Sequence, residues 1–275
     1  MNFVKMQGCG NDYIYVNCLE ETVADPAALS TKISDRHFGV GSDGLVLLLP
    51  SREADVRMRM FNPDGSEAEM CGNAIRCVGK LAYESGLCRR SEMQVETGAG
   101  VKTLQLTVDA GKVSLVRVNM GPPILERSMI PMLGAPGIVI GEKLSAGDRD
   151  FAVSCVSMGN PHCVSYVDDV KAFDLHRYGP LVENHKAFPR RTNAEFVQVL
   201  SRDEVCMRVW ERGAGETLAC GTGASAVCVA GVLCGRTANT ITAHLLGGDL
   251  KLEWAGGDSC VFMTGPAVEV FRGQF

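Results

Sequence analysis

No stretch of this 275-residue chain approaches the roughly 18 apolar residues that a membrane-spanning helix needs. The opening Met1-Asn-Phe-Val-Lys-Met-Gln-Gly8 has no basic-then-apolar export pattern, so a cytoplasmic location is expected. Strong charge of one sign is missing as well. The net charge of −5 gives no electrostatic case for nucleic acid or for an acidic membrane surface. Arg89-Arg90 and Arg190-Arg191 are isolated pairs and read as solvated surface. None of the twelve cysteines is spaced Cys-x-x-Cys, which argues against structural zinc, and no metal site is expected. A disulfide framework does not suit so long a chain without an export signal. No lysine stands in a pyridoxal-type context, so a cofactor-free chemistry fits.

What is present is a soluble globular composition, 46% hydrophobic and 21% charged, at a length that suits two domains with a core each. Most of the cysteines, such as Cys155 and Cys228 inside apolar runs, read as buried small hydrophobes. Cys71 and Cys220 are different. Phe61-Asn-Pro-Asp-Gly-Ser-Glu-Ala-Glu-Met-Cys71-Gly-Asn73 and Trp210-Glu-Arg-Gly-Ala-Gly-Glu-Thr-Leu-Ala-Cys220-Gly-Thr222 align without a gap at an offset of 149 (220 less 71). The same offset carries Gly159 onto Gly10, Asn160 onto Asn11, Gly235 onto Gly86 and Gly247 onto Gly98. One register held across so many Gly, Cys and Asn positions marks two copies of one unit.

The proline-rich segment 119–137 reads as the crossover between the copies. Alternating runs 101–108 and 113–118 around Asp109-Ala-Gly-Lys112 predict a hairpin, as do 249–254 and 259–263 around Ala255-Gly-Gly-Asp258. Each half has one clear helix. From Gly72 to Ser85, Asn73, Arg76, Lys80 and Glu84 make a polar face, with Ile75, Val78 and Ala82 opposite. From Gly221 to Cys234 there is no charge, so that helix should be enveloped by its sheet. Gly86 and Gly235 are the expected C-terminal stops. The inferred architecture is α/β: two pseudo-symmetric repeat domains, each a curved, mostly antiparallel sheet around a central helix, with the active site in the cleft between them. The first domain takes 1–118 plus 266–275 and carries Cys71; the second takes 119–265 and carries Cys220.

Each special cysteine stands where a helix begins. A thiol there feels the positive end of the helix dipole and the first-turn N–H groups, so its pKa is expected to fall from about 8.5. Gly72 and Gly221 let a ligand approach the backbone, and the same N–H groups suit a carboxylate. Two such units around one substrate would place a sulfur on either side of the carbon next to that carboxylate. One thiolate would remove its proton while the other thiol protonates the opposite face, which is two-base stereoinversion.

The ordered set Gly8-Cys-Gly-Asn11-Asp12, Phe61-Asn62-Pro-Asp-Gly65, Cys71-Gly-Asn73, Gly159-Asn-Pro-His162, Arg191-Thr-Asn193 and Trp210-Glu-Arg212…Cys220-Gly-Thr222 resembles diaminopimelate epimerase over essentially the whole chain. The resemblance implies interconversion of LL- and meso-diaminopimelate for lysine and, in many bacteria, peptidoglycan synthesis, without cofactor. It implies Cys71 and Cys220 as the acid/base pair, with His162 and Glu211 tuning the thiols. The backbones of Gly72, Asn73, Gly221 and Thr222 would hold the reacting carboxylate. Asn11, Asn62, Asn160, Asn193, Glu211 and Arg212 would bind the amino groups and the distal carboxylate. A small-molecule substrate and a homodimer are implied, with no nucleic acid or membrane partner. One departure is Gly44, where some members have a glutamine touching substrate.

Three other readings are available from the residues. A cysteine hydrolase with His162 as base would use one cysteine and leave its twin idle. Gly221-Thr-Gly223-Ala-Ser-Ala226 fits Gly-x-Gly-x-x-Ala, but the run before it is not strand-like and no acidic residue follows at the nucleotide-binding spacing. A carboxylate-binding or redox-sensing module shares the same geometry, and turnover separates it from an enzyme.

Overall fold

The computed structural model describes residues Met1–Phe275, in two compact units: Met1–Asn119 with Thr264–Phe275, and Met120–Met263. The first runs β1 (Asn2–Gly8), β2 (Asn11–Asn17), α1 (Pro26–Ser34), β3 (Leu45–Leu49), β4 (Val56–Phe61), β5 (Glu67–Ala68), α2 (Gly72–Glu84), β6 (Glu92–Thr97), β7 (Gly100–Asp109) and β8 (Lys112–Gly121). The chain continues through β9 (Glu142–Ala146), β10 (Arg149–Ser157), β11 (Pro161–Tyr166), α3 (Leu175–Glu183), β12 (Asn193–Val199), β13 (Glu204–Glu211), β14 (Gly215–Thr217), α4 (Gly221–Leu233), β15 (Thr240–Leu245), β16 (Gly248–Trp254) and β17 (Val261–Pro266). The last strand, β18 (Val268–Gln274), pairs antiparallel with β1 and so belongs to the first unit.

The offset of 149 carries α1 onto α3 and α2 onto α4 residue for residue. Pairing repeats as well: β2–β3 and β11–β12 are parallel, β3–β4 and β12–β13 antiparallel, and Leu45↔Phe61 becomes Ala194↔Trp210. A second parallel link also repeats, β4–β6 in the first unit and β13–β15 in the second. Of the two predicted hairpins, the one around Asp109–Lys112 is β7–β8, turning at Ala110-Gly111 with both residues at positive φ.

The copies differ at their first hairpin. β1 and β2 turn through two residues, Cys9 and Gly10, both at positive φ, whereas Met158-Gly159-Asn160 separate the paired Ser157 and Pro161. Asn11 therefore begins a strand, while its counterpart Asn160 sits in a turn.

Both central helices are wrapped. α4, all small or apolar, lies against β10, β11, β12, β15 and β16 and is buried from Gly223 to Gly231. α2 lies against β1, β2, β4, β6 and β7, and its polar face is not turned to water at the N-terminal end: Asn73 is 2% exposed and Arg76 0%. Gly86 and Gly235 follow the helices at φ 84° and 65°, the left-handed step that ends them. Two helices were not expected from the sequence, α1 and α3. Each starts on an aspartate, Asp25 or Asp174, whose carboxylate accepts from the N–H three residues on. No helix is long and apolar enough to cross a membrane.

Candidate active site

Cys71 is the N-cap of α2 (φ −134°, ψ 124°), delivered there by the short return strand β5. The turn before β5 closes with Asn62 N–H donating to Ser66 O at 2.8 Å, and the Asn62 amide donates to Ser66 Oγ at 3.0 Å. Cys71 is half-buried, and its Sγ donates to Asn11 Oδ1 at 3.4 Å. Asn11 Nδ2 donates to Asp43 Oδ2 at 2.8 Å. An ionised carboxylate only accepts, so Asp43 fixes the Asn11 amide with its oxygen toward the sulfur. Asn73 Nδ2 reaches the same oxygen at 3.3 Å, and Arg76 Nη1 holds Asn73 Oδ1 at 3.0 Å and Gly72 O at 3.1 Å. A buried guanidinium thus stands behind the first turn of α2. Burial, and then the neighbouring Cys71, push the Tyr13 phenol well above its ordinary value.

Cys220 is the N-cap of α4 (φ −121°, ψ 109°), but its sulfur does a different job. Sγ accepts from Gly223 N at 3.4 Å, capping its own helix, and lies 3.4 Å from Thr222 Oγ1. Asn160 Nδ2 donates to Thr222 Oγ1 at 3.3 Å, and Asn160 Oδ1 is 3.1 Å from His162 Nε2. His162 Nδ1 is 2.7 Å from Glu195 Oε1, and both residues are 0% exposed. Glu211, at the end of β13, accepts from Thr217 Oγ1. Burial raises the Glu211 carboxyl above the usual range; hydrogen bonds from Thr217 and Cys220 and the nearby His162 offset part of that.

The expectation that a helix start lowers the thiol pKa fails for Cys220. Burial drives it well above its ordinary value, and Glu211 and Glu195 add to the rise. The Thr222 hydroxyl and the Gly223 N–H oppose it without prevailing. Desolvation and two nearby carboxylates outweigh a dipole end equivalent to about half a charge.

Arg212 follows Glu211 and is exposed. Its backbone N–H donates to Asn193 Oδ1 at 2.9 Å and its Nη1 to Arg190 O at 3.1 Å, with no carboxylate in salt-bridge range. Asn193 is 4% exposed and its Nδ2 donates to Pro161 O at 2.8 Å, so its amide ties the Arg212 segment to the strand bearing His162. Gly44 sits at φ 149°, and a Cβ there would lie 2.2 Å from Phe61 O; this chain has no room for a side chain at that position.

In the first unit, the structure brings together Cys71, Asn11, Gly72 and Asn73, with Asn62 at the turn leading into β5. In the second it joins Cys220, Thr222, Asn160, His162 and Glu211, with Gly221 opening α4. His162 reaches the sulfur through Asn160 and Thr222. Sequence reading missed Tyr13, Asp43, Arg76, Thr217 and Glu195. Glu195 had a visible signal, a carboxylate inside the otherwise apolar run Ala194-Glu-Phe-Val197.

Solved structures share this fold. A probable proline racemase from Agrobacterium radiobacter superposes with a TM-score of 0.72 at 15% identity, covering 100% of this chain and 92% of that one. A phenazine biosynthesis protein of the PhzF family from Bacillus anthracis gives 0.72 at 17%, covering 99% and 98%. The family model described as diaminopimelate epimerase matches residues 3–126 and 154–270. The diaminopimelate epimerase of Acetivibrio thermocellus is 58% identical, covering 100% of this chain and 98% of that protein. That of Methanococcus maripaludis is 55% identical, covering 100% and 99%. By these relatives the chain is an isomerase. It belongs to the diaminopimelate epimerase family.

Proposed function

We propose that the protein converts LL- to meso-diaminopimelate by a two-base mechanism in which Cys71 and Cys220 serve opposite faces of one α-carbon. The observation that carries this is the equivalence of the two thiols: each is the N-cap of a buried helix at the same point of the repeat, followed by glycine. One cysteine, as thiolate, takes the α-proton; the C–H bond breaks, an S–H bond forms, and the electron pair moves into the carboxylate as an enediolate. The other cysteine gives its S–H proton to the opposite face of the carbon and is left as thiolate. First-turn N–H groups at Gly72, Asn73, Gly221 and Thr222 stabilise the charge gathering on the carboxylate.

Diaminopimelate has an amino acid at each end, so the distal end needs a cation for its carboxylate and acceptors for its ammonium. Arg212, with its guanidinium not engaged by a carboxylate, suits the first role. Glu211 and the asparagines Asn11, Asn62 and Asn160 suit the ammonium groups and the orientation of the reacting end. Asn193 acts by seating Arg212. The reaction belongs in the cytoplasm, on the route to lysine and peptidoglycan precursors, and we propose a homodimer as the working form. Purified reduced protein without added cofactor, mixed with LL-diaminopimelate and followed by chiral chromatography, tests the reading. The meso isomer should appear, and treatment with a thiol alkylator should stop it. Folded, reduced protein that leaves the substrate unchanged would refute it.

A further inference from the structure

We propose that Glu195 is a positioning residue for Cys220. It stands at the far end of an unbroken polar chain: Glu195 to His162 at 2.7 Å, His162 to Asn160 at 3.1 Å, Asn160 to Thr222 at 3.3 Å, and Thr222 to the Cys220 sulfur at 3.4 Å. The inference rests on the two-thiol reading above and extends it to a residue that acts on the sulfur through others.

Each link constrains the next. His162 has no exposed surface, so protein groups alone orient its ring. Both ring nitrogens face oxygen acceptors, so each must carry a proton to make its bond: Nδ1–H donates to the Glu195 carboxylate and Nε2–H to the Asn160 carbonyl. That turns the Asn160 amide nitrogen toward Thr222. With its oxygen accepting from Asn160, the Thr222 hydroxyl has its hydrogen available for the sulfur, where it favours thiolate. Without Glu195 the ring, amide and hydroxyl would each gain freedom: the sulfur would be relieved of one of its two opposing carboxylates but would lose the ordered hydroxyl donor beside it.

A second observation ties Glu195 to this place. A Cβ added at Gly223 would lie 2.8 Å from Glu195 Oε1 and 3.3 Å from Cys220 Sγ. The equivalent positions in the first unit are Ala74 and Val46, both buried. Where the repeat has valine its helix carries alanine; where it has Glu195 the helix carries glycine. The Gly-x-Gly-x-x-Ala run at Gly221–Ala226 therefore makes room for a carboxylate, which accounts for a motif that otherwise hints at nucleotides.

Two measurements test this. In wild-type protein, nitrogen-15 NMR of the His162 ring should show a proton on both Nδ1 and Nε2; a ring with either nitrogen unprotonated would overturn the proposal, whatever the enzyme's activity. In Glu195→Leu, kcat for LL-diaminopimelate should fall about 10- to 100-fold, the range for outer hydrogen-bond partners that orient a histidine, with KM little changed. Glu195→Gln keeps an acceptor and should recover most of the loss. Glu195→Leu with wild-type kcat, or a loss confined to KM, would contradict the proposal. Wild-type protein that fails to epimerise would instead refute the functional reading, leaving the NMR result to decide the role of Glu195.

Discussion

At the residue scale the two thiols are equal in position and unequal in surroundings. Where the second unit has His162, Glu195 and Glu211, the first has Tyr13, Val46 and Asn62. Where the first has the buried cation Arg76, the second has Ser225. The twin cysteines and their glycines were legible because an exact spacing survives in a linear string. The charge around each sulfur was not, because Asp43, Arg76 and Glu195 reach their sites only through folding. The thiol pKa expectation failed at Cys220 for the same reason: a helix start is visible in sequence, whereas burial and facing carboxylates are not. On the proposed reading, Arg212 holds the distal carboxylate of the substrate. Arg212→Ala should raise KM about 30-fold, the ~2 kcal/mol lost when one partner of a charge pair is removed. Steady-state kinetics showing unchanged KM and kcat would remove Arg212 from the distal site.

At the scale of elements, α2, α4 and the hairpin β7–β8 follow from patterns a reader can see, namely a charge-free run, a polar stripe, and alternation around a turn. α1 and α3 escaped because they are nine residues each and α3 contains Gly179 and Pro180. Their capping aspartates, Asp25 and Asp174, fall at the repeat offset and were the available signal. Packing explains the helix-breaking glycine. A Cβ at Gly179 would lie 2.6 Å from the Trp210 ring, so glycine lets α3 close on the strand that ends at Glu211. Its counterpart Ser30 instead donates to the carbonyls of Phe61 and Asn62. Gly179→Ala should therefore destabilise the protein by about 1–3 kcal/mol, the cost of overpacking a filled site. Urea titration gives the value, and a midpoint at or above wild type would show that α3 has slack the structure does not display.

At the scale of the molecule, the repeat gives two equivalent helix starts, and the groups around their two sulfurs differ. That asymmetry has a signature in stability. The fold holds the Cys220 thiol above its unfolded value of about 9, so the native state binds that proton more tightly than the unfolded chain does. Its contribution is complete below pH 9 and is lost as the pH rises toward the folded value. Buried Cys77 and Cys228, raised to about 11 and about 12, act in the same direction. The urea midpoint should decline above about pH 9, and the decline should be shallower in Cys220→Ser. An identical slope in the variant would mean that Cys220 is not held protonated by the fold.

The central claim, one cysteine for each face of one carbon, meets its most direct test in deuterated water. Wild-type enzyme is given LL-diaminopimelate, the reaction is stopped at low conversion, and the isomers are separated and weighed by mass spectrometry. Deuterium should appear in the newly formed meso isomer while recovered LL substrate stays largely unlabelled, and Cys71→Ala and Cys220→Ala should each abolish epimerisation. Equal early labelling of both isomers, or near-wild-type epimerisation by either variant, would contradict it.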